Sequence, residues 1–126
     1  MTGMGAWTKS PPELVARFDA AIARQPGAER RLMFGFPAAF FGGNLAMCLF
    51  QDTWNVRLPA PDRAELLAMP AARPFEPVPG RAMKEYVALP PAIVADDAAL
   101  DAWLTRAAAY AASLPPKEKA PAKRSR

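Results

Sequence analysis

The sequence predicts an α+β fold of two layers: a mainly antiparallel sheet of four to six strands, with an N-terminal and a C-terminal helix packed on it. Three observations lead there. The stretch from Arg31 to Leu58 holds most of the large apolar residues, and turn residues cut it into pieces of strand length. Its last piece alternates Trp54, Val56 and Leu58 with Asn55 and Arg57, the period of two of a strand with one dry face. On either side of this stretch, apolar residues recur at helical spacing.

In order, Ser10-Pro11-Pro12-Glu13 reads as a helix start, with Ser10 as cap, Pro where a missing N–H costs nothing, and Glu13 closing a capping box. The helix is expected to run to about Arg24, with Leu14, Phe18, Ala21 and Ile22 inward and Arg17 and Arg24 in water; Pro26-Gly27 stops it. Four strands follow: Arg31 to Phe36, Ala38 to Phe41, Leu45 to Phe50 and Trp54 to Leu58. Pro37, Gly42-Gly43-Asn44 and Gln51-Asp52-Thr53 separate them. In the third strand Leu45, Met47 and Leu49 point one way and Ala46, Cys48 and Phe50 the other, so both faces need a cover: helices on one, and a helix, the C-terminal arm or a second subunit on the other.

Pro61 opens a second short helix to about Ala68, anchored by Leu66 and Leu67. Prolines 70, 74, 77 and 79 then forbid a regular helix or a central strand, so Pro70 to Gly80 is expected as an extended strap pinned by Phe75. Arg81 to Leu89 returns to strand character, with Met83, Val87 and Leu89 on one parity and Ala82, Lys84 and Tyr86 on the other. A last helix starts at Asp96 or Asp97 and carries Leu100, Trp103, Leu104, Ala107, Tyr110, Ala111 and Leu114 as one apolar stripe, until Pro115-Pro116 ends it.

The chain has 126 residues, 52% of them hydrophobic, which suits a single domain over 10–114 between a flexible N-terminus, 1–9, and a disordered tail, 115–126. The run from Leu32 to Phe50 has no charge and approaches the length of a membrane span, but its turn residues would leave backbone groups unpaired in lipid. One cysteine forbids an internal disulfide, and the first residues lack the pattern of a secretory signal, so a cytoplasmic setting is expected. The net charge of +4 is local: residues 1–114 carry eleven basic and eleven acidic side chains, whereas the tail carries five basic ones against Glu118.

The absence of histidine removes the common nucleophile–base pairs and histidine-ligated zinc, and the single cysteine removes a cysteine-only zinc site. No cofactor, metal or catalytic residue is expected. Cys48, among apolar neighbours, reads as a buried small hydrophobe, and Asp96, Asp97 and Asp101 as helix-start charges. Gly42-Gly43-Asn44 lacks the Gly-Lys-Ser of a phosphate loop. Arg57, Arg81 and Lys84 are the candidate ligand- or partner-binding residues, able to hold an anion if they meet on a wet sheet face; the plain alternative is solvated strand charge.

With these pieces placed, the chain resembles the TfoX/Sxy N-terminal domain family. Arg31-Leu32-Met33-Phe34-Gly35, Phe40 through Gly43-Asn44, Val56-Arg57-Leu58, Arg73-Pro74-Phe75, Gly80-Arg81-Ala82-Met83 with Tyr86-Val87, and Trp103 with Leu114-Pro115-Pro116-Lys117 carry the resemblance, over roughly 12–117. It implies a compact α/β domain and a non-enzymatic role in a family best known for regulators of natural competence. No counterpart of their additional C-terminal helical domain is expected after Leu114. The expectation is therefore a module that binds a protein partner or itself through an uncovered sheet face or edge strand. The alternatives are nucleic-acid binding through the basic tail and, third, a small enzyme with an Arg/Lys/Glu pocket.

Overall fold

The structure, a computed structural model, describes residues 8–116, so most of the expected N-terminal arm 1–9 and of the tail 115–126 lies outside the described residues. Ten elements follow in the order α1 (Pro12–Ile22), β1 (Glu29–Met33), β2 (Phe36–Phe41), β3 (Asn44–Phe50), β4 (Thr53–Arg57), α2 (Ala60–Leu67), β5 (Arg73–Pro74), β6 (Tyr86–Ala88), α3 (Pro91–Val94) and α4 (Asp97–Ser113). The strands form one sheet, β1-β2-β3-β4-β6-β5, in which every neighbour pair is antiparallel. No helix among the described residues is long and apolar enough to cross a membrane.

One sheet face carries the helices. Phe18, Ala21 and Ile22 of α1 and Leu100, Trp103, Leu104, Ala107 and Ala111 of α4 meet Met47, Leu49, Trp54, Val56 and Val87 in the main core, with the Phe18 and Trp54 rings 5.0 Å apart. Burying a side chain such as Leu100 or Leu104 contributes about 1.5–3 kcal/mol. Helices α1 and α4 are also tied at their outer edges: Arg17 reaches Asp97 at 2.6 Å and Arg24 reaches Asp101 at 2.8 Å, so these two arginines are not simply solvated. Asp96 is the cap of α4, accepting from the Ala98 and Ala99 amides at 3.1 and 3.3 Å.

The second face is covered by the chain itself. Phe75 and Met83 pack on Phe36, Ala38, Leu45, Cys48 and Phe50, so the cover on this face comes from a segment that is not a helix. The strap is held by the Met83 amide donating to the Phe75 carbonyl at 2.8 Å and by a bridge between Val78 and Arg81, which the positive φ of Gly80 allows.

Several expectations are corrected. The first hairpin turns at Phe34-Gly35, with φ of 56° and 84°, the two positive values that a two-residue hairpin turn demands. Phe36 and Pro37 therefore belong to β2; Pro37, with no N–H to give, sits just before the registered β2–β3 pairs, which begin at Ala38. The expected alternation of β3 fails because a bulge lies opposite Ala39 and Phe40: Phe40 pairs with Leu45 and Ala39 with Met47. Leu45 thus joins the strap-side cluster and Ala46 the helix-side core.

Ser10 does not cap α1. Pro11 takes the cap position in extended geometry, which leaves Ser10 one residue too early, and the helix stops at Ile22. In α2 only Leu66 is buried, while Leu67 is 39% exposed. The strand expected over Arg81 to Leu89 shrinks to Tyr86–Ala88, because Glu85 at φ 74° breaks it and sets Met83 on the same side as Tyr86. Pro90-Pro91 does more than end that strand, since it starts the short α3. Replacing Leu104 by alanine should cost about 2–5 kcal/mol, read as a lowered urea midpoint, and a loss below 1 kcal/mol would place α4 outside the core.

Candidate functional site

The two ends of the sheet differ in chemistry. At one end lies the β2–β3 turn, Gly42-Gly43, where Gly43 has φ 84°. Asn44, next to it, is buried and donates from Nδ2 to the Ala111 carbonyl at 3.2 Å and to the Pro115 carbonyl at 3.0 Å, pinning the end of α4 to the sheet. At the same end Arg57 leaves β4 and donates from Nε to Glu85 Oε1 at 2.9 Å. Tyr110 of α4 donates its hydroxyl to Glu85 Oε2 at 2.7 Å. The Arg57 guanidinium lies 5.7 Å from the Tyr86 ring centre and 5.9 Å from that of Tyr110. Tyr110 is therefore not part of the inner stripe of α4 but a clamp from the helix to the end of the strap.

The Tyr110 hydroxyl first, and Arg57 after it, hold the Glu85 carboxyl below the usual carboxylate range. The same hydrogen bond raises Tyr110, and burial pushes Tyr86 up to about 12. Arg57 is consequently a partner in an internal network. Arg81 and Lys84, the other two candidate residues, are exposed on the strap, and the partners of Arg57 are Glu85 and the Leu45 carbonyl. Among the family-motif residues, Met33, Met83 and Tyr86 pack in the strap-side cluster. Phe34, Gly35, Gly43 and Gly80 shape turns through positive φ. Trp103 is buried in the main core beneath Arg106, whose guanidinium is 4.2 Å from its ring centre and also pairs with Glu65 of α2 at 2.9 Å.

The other end holds the turns Phe34-Gly35 and Gln51-Asp52. Here large apolar side chains face solvent: Leu32 is 64% and Phe34 58% exposed. With Val15, Phe36 and Pro37 they line a groove of about 540 Å³. Beside it a cleft of about 720 Å³ runs over the end of the sheet, lined on the helix side by Leu14, Arg17, Trp54 and Val94 and on the strap side by Asn55, Arg73, Phe75 and Ala88. Trp54 Nε1 and Asn55 Oδ1 are buried and have no hydrogen-bond partner among the described residues. A buried polar atom left so costs about 1–3 kcal/mol, which marks the place as one the fold does not complete.

The sequence pattern did not single out these residues. A single strand over Arg31 to Phe36 hides the turn at Phe34; the signal that finds it is a Phe-Gly pair flanked by apolar residues on both sides, a hairpin turn with an atypical first residue. Glu85 and Tyr110 are 25 residues apart and met only through the tertiary fold. Asn55 reads as the wet residue of an alternating strand, yet it is fully buried.

Because the folded Glu85 pKa is depressed, its contribution to stability is present above the ordinary glutamate value of about 4.3 and is lost as pH falls through the lower folded value. Tyr110→Phe should raise the Glu85 pKa in a carboxyl NMR titration and shrink the stability lost between pH 6 and pH 3; an unchanged pKa would show that Tyr110 does not hold the carboxylate. Cys48 is buried, and burial pushes its thiol up to about 12. A thiol reagent at pH 7.5 should therefore label the protein only in denaturant, and rapid labelling of the native chain would contradict this packing.

The model of the TfoX N-terminal domain matches residues 20–111, a span that runs from α1 through every strand to the last turns of α4. No curated protein and no solved structure shows a significant match. The six-stranded antiparallel sheet, its flanking helices and this match over most of the sequence place the chain in the TfoX N-terminal domain family.

Proposed function

We propose that the chain is a non-catalytic binding module that acts through contact with a protein partner, and that the hairpin end of the sheet is the surface it uses. The observation that carries this reading is Phe34. An aromatic residue at φ 56° stands where Asn, Asp or Gly is the low-energy choice, and it is 58% exposed. Backbone strain at an exposed aromatic beside an exposed Leu32 is characteristic of sites kept for recognition. Aromatic side chains of this kind also supply much of the energy of protein interfaces.

The rest of the surface offers less. The packing of Phe75 and Met83 on the second sheet face supports placing the contact at the hairpin end rather than on that face. The outer edge strand β1 begins with Glu29, Arg30 and Arg31, and the other edge, β5, is two residues long and ends in Pro74, two ways of protecting an edge from further pairing. A non-catalytic role is supported by the lack of histidine and by a buried, weakly acidic Cys48 thiol.

Phe34→Asn tests the reading. It should gain about 1 kcal/mol or less of stability by relieving the turn, while reducing capture of partner protein from the native cell at least tenfold. Deletion of 117–126 serves as the contrast. Capture lost on deletion of those residues but kept by Phe34→Asn would reject the hairpin and favour the basic tail.

A further inference from the structure

The described chain starts from an anchored point at the hairpin end. The Thr8 amide donates to Gln51 Oε1 at 2.8 Å, and the next two residues, Lys9 and Ser10, form one wall of the groove that Leu32 and Phe34 line from the other side. Gln51 stands at φ 53°, a turn position where Asn, Asp or Gly is the usual choice. Its longer side chain is what reaches the Thr8 amide.

From this geometry we infer that the groove is the seat of the chain's own N-terminal segment, residues 1–7, with the Trp7 indole as the anchor that fills it. Connectivity supplies the reach. The Cα of Trp7 is about 3.8 Å from that of Thr8, so a tethered Thr8 keeps the indole close to the hairpin. Gln51 directly follows Phe50, whose ring lies 5.1 Å from that of Phe36, and Phe36 lines the groove. The tether and the groove therefore share one corner of the sheet.

Chemistry selects this segment over the other one outside the described residues. Residues 1–7, Met-Thr-Gly-Met-Gly-Ala-Trp, carry no charged side chain, and the described residues lining the groove are chiefly apolar with Lys9 as their only charge. Residues 117–126 carry five basic side chains and leave from the opposite end, where Asn44 holds the Pro115 carbonyl at 3.0 Å. Tryptophan has the largest apolar surface to bury and only two side-chain torsions to fix, which suits an anchor on a short tether. The groove, at about 540 Å³, lies within the roughly 300–1,000 Å³ common for sites that enclose a ligand group. The inference goes beyond the protein-binding reading, since the contact lies within one chain; where a partner takes Phe34, Trp7 is what it displaces.

The test uses the isotope-labelled full chain in solution. Nuclear Overhauser contacts are expected from the Trp7 ring to the Leu32 methyls and the Phe34 ring. The Leu32 methyls should sit upfield under the indole and return to ordinary positions in Trp7→Ala. Gln51→Ala, which removes the tether, should weaken the same contacts. Leu32→Lys, on an exposed position, should open Trp7 to quenching by acrylamide, while Trp54 and Trp103, 1% and 5% exposed, stay protected. Leu32 methyls that do not move in Trp7→Ala, or a Trp7 already fully quenched in the unaltered chain, would overturn the inference. In a mixture of differently labelled copies, contacts found only between copies would overturn it as well and assign the groove to a second copy. Partner capture by Phe34→Asn bears on the protein-binding reading alone, so the two can fail separately.

Discussion

A strand that is dry on both sides governs this fold. Every residue of β3, from Asn44 to Phe50, is buried, and it lies between β2 and β4 in the interior of the sheet. One helical layer, made chiefly by α1 and α4, closes the first face. The second face is closed by a strap rich in proline, which needs few backbone partners and so can cross side chains with only the two-residue strand β5 paired to the sheet. Phe75 is its anchor, with ring contacts to Phe50 at 5.5 Å and Tyr86 at 6.4 Å.

Closing that face has consequences for the two ends. The strap must return to the sheet at Tyr86, and Glu85 makes the turn at positive φ while its carboxylate is clamped by Arg57 and Tyr110. That end is therefore satisfied and structural: Asn44 ties α4 down, and Arg57, Glu85 and Tyr110 join sheet, strap and helix. At the hairpin end Trp54 and Asn55 each hold a buried polar atom with no hydrogen-bond partner among the described residues, and Leu32 and Phe34 are 64% and 58% exposed. The hydrogen-bonded clamp and the exposed apolar side chains thus lie at opposite ends of the same strands.

Much of this was legible in the residues. Gly42-Gly43 and Gln51-Asp52 announce their turns, Asp96 announces the start of α4, and prolines 70, 74, 77 and 79 announce the strap, because each depends on backbone chemistry within a few residues. The β3 bulge was not legible: it inserts one residue against β2, and no local rule says where a ladder slips. Nor was the setting of Asn55, since period-two alternation tells which side a residue faces and not whether a distant strap will cover that side.

What the sequence determined by itself was an antiparallel sheet between two terminal helices, with a chain chemistry poor in catalytic groups, because periodicity, turn residues and composition act locally. The tertiary structure alone decided that Arg57 belongs to an internal clamp, that Phe75 and Met83 pack on the second face, and that buried polar atoms without a partner among the described residues lie at the hairpin end. These are matters of which distant segments meet. Side-chain hydrogen bonding and burial follow from such meetings, and no window of neighbouring residues contains them.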